Sequence, residues 1–440
     1  MKRLVPTAWL AFHLAACAST PAPAPTAGVE AAPVERQAAQ VCRSVDDPAA
    51  AGGLLAPAFL AQVPAARVEQ ILADLRRTAG SCSGVRTVRA GAWDGEFELA
   101  FTGGFVAPLR LAVEPAPGNR IVGIWFGAPA KAHGSLDEVV EELRTLPGRV
   151  SLLVADLLPD GIHPRAALHA DEPLAVGSAF KLWVLAELAR SIEAGERRWD
   201  DVVRLEAEAI SFPAGDLRKW PVGSPLTLHT LAALMISRSD NTATDQLIRL
   251  LGREAIERTM AATGHATPAR NQPFLTTREA FLLKEAAGDG YLATSDVAQR
   301  RAYLDAQVAK LERGEGPRLL APTRIGEIEW FASARDLART FAWLLDHGLR
   351  EAGPLRGVLG IEAGIASAGD GRRWVGYKGG SETGVLNLSF LLENADGSWQ
   401  VVIATWNDPA APVDAVRFRG IVERALALAA EAPAPGEAGE

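Results

Sequence analysis

The run Val176-Gly-Ser-Ala-Phe-Lys181 leads without a break into an apolar helical pattern at Leu182, Leu185 and Leu188, and it restricts the fold of this 440-residue chain more than any other stretch. Ser178 falls at the helix start, where backbone N–H groups lack an intrahelical partner and can face an incoming oxyanion. Lys181 lies one turn on, so its amine shares the face of Ser178. A lysine buried among cationic and polar groups loses basicity and can take a proton from a serine hydroxyl. The plainer alternative is a capping serine followed by a surface lysine, and the tetrapeptide alone does not separate the two.

Two further clusters stand downstream in order. Ser239-Asp240-Asn241 follows the apolar helix Leu228–Ile236, within Met235-Ile-Ser-Arg-Ser-Asp-Asn-Thr-Ala-Thr-Asp245. Ser239 can relay a proton to a leaving nitrogen, Asn241 can bind a substrate amide, and Asp240 is suited to fastening the loop. The alternative is a helix-to-helix cap, for which Ser, Asp and Asn are favoured. Lys378-Gly379-Gly380-Ser381 comes at the end of a strand predicted over Trp374–Tyr377. Gly379 and Gly380 would let a ligand lie against a strand edge. The Ser381 N–H is then a second oxyanion donor, and Lys378 can hold a carboxylate. A Gly-rich hairpin turn is the alternative. Trp220 is a candidate stacking wall, with core or rim packing as its alternative. Tyr377 alternates to the other sheet face, and Arg335, Arg372 and Arg373 read as surface residues.

Composition narrows the class. With 48% hydrophobic and 22% charged residues, collagen-like, wholly disordered and multi-span membrane classes are excluded. A formal net charge of -8 without a basic run argues against nucleic acid as the partner. Only seven lysines stand among the 45 basic residues, at 2, 131, 181, 219, 284, 310 and 378, which makes each worth inspecting. The seven histidines are scattered without metal-ligand spacing, so no metal and no organic cofactor is expected.

The N-terminus reads as an address. Lys2-Arg3, the apolar run Leu4–Ala16 and Cys17 form a basic region and a stretch too short to span a bilayer. Leu14-Ala15-Ala16-Cys17 resembles a bacterial lipobox, whose cysteine is acylated and becomes the mature N-terminus. A plain secretory signal cleaved near Ala18 is the alternative. Residues 1–17 are thus a lipoprotein signal, and 18–41, rich in Ala, Pro and Thr, an extended tether. The expected location is exported, held to a membrane by lipid and facing the periplasm or cell surface. In such an oxidising compartment Cys42 and Cys82 are expected to form a disulfide, with two separate buried thiols as the alternative. A loop of that size, about forty residues, is stabilised by roughly 4 kcal/mol in the chain-entropy model.

Residues 42–130 read as a small α+β domain: a helix over 57–79, then strands at Phe97–Phe101 after an Asp94-Gly95 turn, Leu109–Val113 and Ile121–Phe126. Asp94, Glu96 and Glu98 fit a solvated hairpin face. Residues 131–440 follow α/β order. A capping box at Ser135-Leu-Asp-Glu138 opens a helix, strands come at Val150–Leu157 and Ala166–His169, and a long helical stretch intervenes. Late strands are expected at Trp374–Tyr377, Val385–Leu392 and Trp399–Trp406, with a closing helix over 413–430.

Taken together, the three clusters resemble the signature of the penicillin-binding protein and class A β-lactamase superfamily. The resemblance covers roughly residues 135–431. It implies an antiparallel sheet flanked by helices, with an all-α lobe, and a serine hydrolase forming an acyl-enzyme with a β-lactam, ester or peptide substrate. Ser178 would be the nucleophile, Lys181 its base and Ser239 a proton shuttle. Asn241, Lys378, Gly380 and Ser381 would bind substrate, with oxyanion donors at the Ser178 and Ser381 N–H groups. Rival readings within it are a cell-wall D-alanyl peptidase or cephalosporin-type esterase, and a non-enzymatic acyl-sensor lipoprotein. The sequence departs from the pattern in three ways. Gly379 stands where a hydroxyl is usual. The interval from Ser239 to Lys378 is long, with an insertion near 271–325. No E-x-x-L-N segment supplies a deacylating Glu, and Glu279, Glu315 and Glu329 lack the right neighbours, which implies slow turnover. The two-domain plan and Pro273-Phe-Leu-Thr-Thr-Arg278 look most like the serine hydrolase-like proteins of clavulanic acid gene clusters, in which a cone-shaped isomerase-like domain precedes the hydrolase domain.

Overall fold

The computed structural model describes residues 32–127, 129–132, 134–311 and 319–430. The lipobox with Cys17, most of the expected tether and Glu315 lie outside the described residues. Helix Pro33–Ser44 corrects the tether's last part: Pro33 sits in the first turn, and Val34, Ala38 and Val41 are buried at helical spacing. The helix expected over 57–79 is two, Pro57–Leu60 and Ala65–Ala79, separated around Pro64, which lacks the N–H needed for continuity.

Strands Cys82–Ala90, Asp94–Phe101, Phe105–Val113 and Ile121–Phe126 stand in that order in one sheet. The first of them was not legible, because Arg86, Thr87, Val88 and Arg89 are all exposed or half-buried and give no apolar alternation. Asp94-Gly95 belongs to a strand; the reversal is tighter and earlier, closed by the Gly91 N–H donating to the Asp94 carbonyl at 2.8 Å. Glu96 pairs with Arg89 and Arg110, and Glu98 with Arg86. Cys42 and Cys82 are both disulfide-bonded.

The described chain divides into two compact units, one drawn from residues 1–73, 84–98 and 109–125, the other from 74–83, 99–108 and 126–440. The division is therefore interleaved, where the sequence suggests one boundary near 130.

The larger unit is built on a five-stranded antiparallel sheet. Its order is Arg372–Glu382, Val385–Asn394, Trp399–Asn407, Arg149–Leu158 and Gly161–Leu168. The central strands are apolar almost throughout because both sheet faces are covered. Successive side chains point to opposite faces. Leu153, Ala155, Leu391, Val401 and Ile403 enter one core, shared with the helices Lys181–Glu193, Leu228–Ser237 and Ala334–Leu344. Leu152, Val154, Phe390, Val402 and Ala404 enter the other, shared with Leu136–Arg144 and Ala415–Ala430. Ser135 accepts the Glu138 N–H as expected of an N-cap, while the Glu138 carboxylate accepts from Gly134 at 2.6 Å. Trp183 is fully buried and its indole N–H donates to Thr340 Oγ1 at 3.1 Å. None of the described helices is long and apolar enough to cross a membrane.

Phe390 is wholly enclosed on a central strand. Phe390→Ala should cost about 3–5 kcal/mol of stability. Chemical denaturation of the two proteins side by side checks it, and a loss under about 1 kcal/mol would contradict the packing described.

Candidate active site

Ser178 sits in a tight turn, Gly177–Phe180, from which the helix Lys181–Glu193 continues. The turn is fixed from several sides. Asn407 grips Ala175, its Oδ1 accepting the Ala175 N–H at 2.8 Å and its Nδ2 donating to the Ala175 carbonyl at 2.9 Å. The Val176 N–H donates to the Trp330 carbonyl at 3.0 Å, and the Trp330 ring stacks on Phe180 at 3.8 Å. Gly177 has φ +48° and no room: a Cβ there would lie 3.2 Å from the Ser381 nitrogen.

The third cluster is not a turn and not a strand end. Lys378, Gly379, Gly380 and Ser381 all lie within the edge strand Arg372–Glu382, paired in continuous register from Trp374↔Glu393 to Glu382↔Val385. This strand lies against the Ser178 turn. A Cβ on Gly380 would come within 2.5 Å of the Ser178 nitrogen and 2.1 Å of the Val176 carbonyl oxygen. Glycine at 380 is thus what allows two main chains to approach, with the Ser178 and Ser381 nitrogens on the two sides. Gly379 has its own cause: a Cβ there would meet the Tyr377 hydroxyl at 2.1 Å and the Asn387 carbonyl oxygen at 2.9 Å. The side chain usual at that position is excluded by Tyr377, whose ring packs on Phe390 at 4.8 Å. Ser381 itself is exposed.

Two lysines converge on Ser239. Lys181 Nζ is fully buried and donates to the Ser239 carbonyl at 2.6 Å, to Ser239 Oγ at 3.1 Å and to Asn241 Oδ1 at 2.8 Å. Lys378 Nζ, also buried, donates to Ser239 Oγ at 3.1 Å and to the Gly379 carbonyl at 2.6 Å. Burial, with Lys378 as a second positive charge nearby, brings Lys181 well below the usual lysine pKa. Burial alone lowers Lys378 to about 7. Between these amines the Ser239 hydroxyl can accept from one and donate to the other once that one is neutral.

Ser239 adopts φ +51°, uncommon for a residue with a side chain. Its neighbour holds it there. Asp240 caps the helix Asn241–Leu251, with Oδ1 accepting from Ala243 and Oδ2 from Leu217, both at 2.9 Å. Asn241 also bonds the protein itself: beyond Lys181, its Nδ2 donates to the Phe212 carbonyl at 2.9 Å. Its present geometry orients Lys181 and the 211–217 loop, a role the substrate-amide reading did not include. Trp220 follows this loop and is 48% exposed, so it is no core residue, and a rim position remains.

The candidate carboxylates are otherwise engaged. Glu279 closes a capping box at Thr276 and pairs with Arg253 at 2.8 Å. Glu329 is buried against Lys284 at 2.6 Å. Asp245 accepts from Thr277 N–H, Thr277 Oγ1 and Arg278 N–H, and burial raises its carboxyl to about 6. Arg335 pairs with Asp171, Arg373 with Glu393, and Arg372 donates to the Ala368 and Leu426 carbonyls. Sequence reading missed Gly177, Asn407, Trp330 and Glu382. The scarcity of lysine was the one usable signal for Lys284.

The chain shows similarity to known proteins over this unit. The model of the family described as "Beta-lactamase enzyme family" matches residues 135–345. A β-lactamase from Sphaerobacter thermophilus is 23% identical, covering 67% of this chain and 95% of that one with a TM-score of 0.46. A β-lactamase from Chitinophaga pinensis is 16% identical, covering 67% and 98%, TM-score 0.45. The structure of PBP-A is 16% identical, covering 67% and 92%, TM-score 0.45. No curated protein matches the chain.

Lys378 gives a stability test. Its pKa in the folded chain is about 7, against roughly 10.4 when unfolded. Between these values the unfolded chain binds more protons, so this residue makes stability rise with pH. Lys378→Met should shrink the gain in melting temperature between pH 7 and pH 10; an unchanged gain would mean that Lys378 titrates normally.

Proposed function

We propose that this chain, whose residues 135–345 carry the β-lactamase enzyme family pattern, is an exported serine acyl hydrolase acting on β-lactams or related esters and amides. The observation that carries the reading is the pair of buried lysine amines held on one serine hydroxyl, beside a strand whose Gly380 lies against the Ser178 backbone nitrogen.

In this reading Ser178 Oγ attacks the carbonyl carbon. Lys181, poorly able to keep its proton in a closed site beside a second cation, takes the serine proton. Negative charge developing on the carbonyl oxygen is met by the Ser178 and Ser381 N–H groups, already placed before the reaction begins. The proton then passes from Lys181 to Ser239 Oγ, bonded at 3.1 Å, and on to the leaving nitrogen. Lys378, as ammonium, holds the substrate's acid group and favours neutral Lys181. A bound carboxylate raises the Lys378 pKa back from about 7, so substrate strengthens the charge it needs.

Release of the acyl group needs a base for water. Glu279 is committed to its cap and Arg253, and Glu329 to Lys284. Among the described residues Lys181 is the base at hand for both half-reactions, which supports a long-lived acyl-enzyme. That favours, as the second reading, a peptidase, esterase or sensor for which the adduct is the persistent state. Neither export nor the lipid at Cys17 enters the chemistry; both rest on the N-terminal pattern.

Benzylpenicillin should add its full mass to the protein, and Ser178→Ala should abolish the adduct. Lys181→Met should slow its formation by about 100-fold or more. Mass spectra at successive times read both half-reactions: persistence over many minutes supports slow deacylation, loss within seconds an efficient lactamase. An adduct retained by Ser178→Ala would remove the mechanism.

A further inference from the structure

A second buried lysine cluster lies outside the groups that handle protons. Lys284, in the helical turn 283–287, donates to Glu329 Oε1 at 2.6 Å and to Glu382 Oε1. The side chains of Lys284 and Glu329 are each 1% exposed, and that of Glu382 11%. Two acids and one ammonium enclosed together are costly, and a fold keeps such a cluster only where strong mutual bonding offsets desolvation.

The cluster's place is informative. Glu329 directly precedes Trp330, whose carbonyl accepts the Val176 N–H and whose ring stacks on Phe180. The indole N–H is tied in turn to the Leu275 carbonyl at 3.2 Å. Glu329 is therefore one residue from the contacts that brace both ends of the Ser178 turn. Glu382 directly follows Ser381 in the edge strand. One ammonium thus links the two walls of the slot between the Ser178 and Ser381 nitrogens, and hydrogen bonds to an oxyanion tolerate only a few tenths of an ångström of drift.

We infer that Lys284, bridging Glu329 and Glu382, is a positioning group that sets the width of the oxyanion slot; this rests on acyl transfer at Ser178 as proposed above. The protonation pattern fits the clamp. Burial, with Glu329 as a neighbouring negative charge, pushes the Glu382 carboxyl well up. Burial works against the Lys284 charge, but Glu329 and Glu382 outweigh it and hold its pKa above the usual value. Glutamine at 382 keeps an oxygen that accepts from Lys284, so it can replace the glutamate where leucine cannot.

The test is the rate of benzylpenicillin acylation, separated from the affinity of the initial complex by varying ligand concentration. Lys284→Met should slow acylation by about 10- to 100-fold while initial affinity moves less than about 3-fold. Glu382→Leu should behave likewise, and Glu382→Gln should recover most of the rate. The double variant Lys284→Met with Glu329→Gln removes one charge of each sign; it guards against misfolding of the single variant and should still acylate slowly. Wild-type rates in the double variant, or no recovery in Glu382→Gln, would overturn the clamp. Were wild type itself never acylated, the clamp would fall together with the reading of the site; an acylated wild type with an equally fast Lys284→Met would remove the clamp alone.

Discussion

The approach of the edge strand to the Ser178 turn governs everything else in the larger unit. Two main chains meet there with no side chain between them, because residue 380 is glycine and residue 177 is a glycine at positive φ. That closeness brings the Ser178 turn against the Gly380–Ser381 backbone from a distant part of the sequence. The glycine at 379 answers a separate demand, since Tyr377 and the Asn387 carbonyl occupy the space a side chain would need. In the acyl-transfer reading proposed above, backbone donors held this way need no reorganisation when charge appears, the condition under which electrostatic stabilisation is largest.

A contact of that kind survives only on a rigid support. The sheet buries both faces, one core joining it to the helix that begins at Lys181 and the other to the terminal helices. Asn407, at the end of a central strand, reaches across to both backbone groups of Ala175, three residues before Ser178. The Ser178 turn is thereby tied to the sheet through a side-chain amide mimicking a strand, independently of the edge strand. Ser239, held at positive φ by the cap at Asp240, completes the assembly from the helical lobe. Three elements converge, each constrained by its own local device.

Much of this was visible in residue types, and the exceptions share a cause. Helices and strands of the larger unit follow their apolar periodicity closely, and the three clusters come together as their order implied. What periodicity could not show was where the strand after Trp374 ends: glycines read as a stop, yet Gly379 and Gly380 continue the ladder because register with Leu388 and Asn387 persists through them. The helix at Pro33–Ser44 was hidden by an Ala- and Pro-rich composition that suits a tether equally well. Strand Cys82–Ala90 was hidden by exposure. Asn241 illustrates a further limit: its type permits substrate binding, and only geometry shows that its amide also bonds Lys181 and the Phe212 carbonyl.

The scarcity of lysine has a physical reading once the folded positions are known. Arginine keeps its charge in almost any environment, whereas an ammonium on a flexible stem shifts its pKa readily when buried. Of the six lysines among the described residues, those at 181, 284 and 378 are buried. Their environments differ in the one respect that matters. Lys181 and Lys378 bond neutral oxygens, and burial, joined at Lys181 by the Lys378 charge, favours loss of a proton. Lys284 is set between two carboxyls, which favours keeping it. The same residue type, enclosed to nearly the same degree, is thus divided into two groups suited to moving protons, where burial prevails, and one suited to holding structure, where carboxylates outweigh burial.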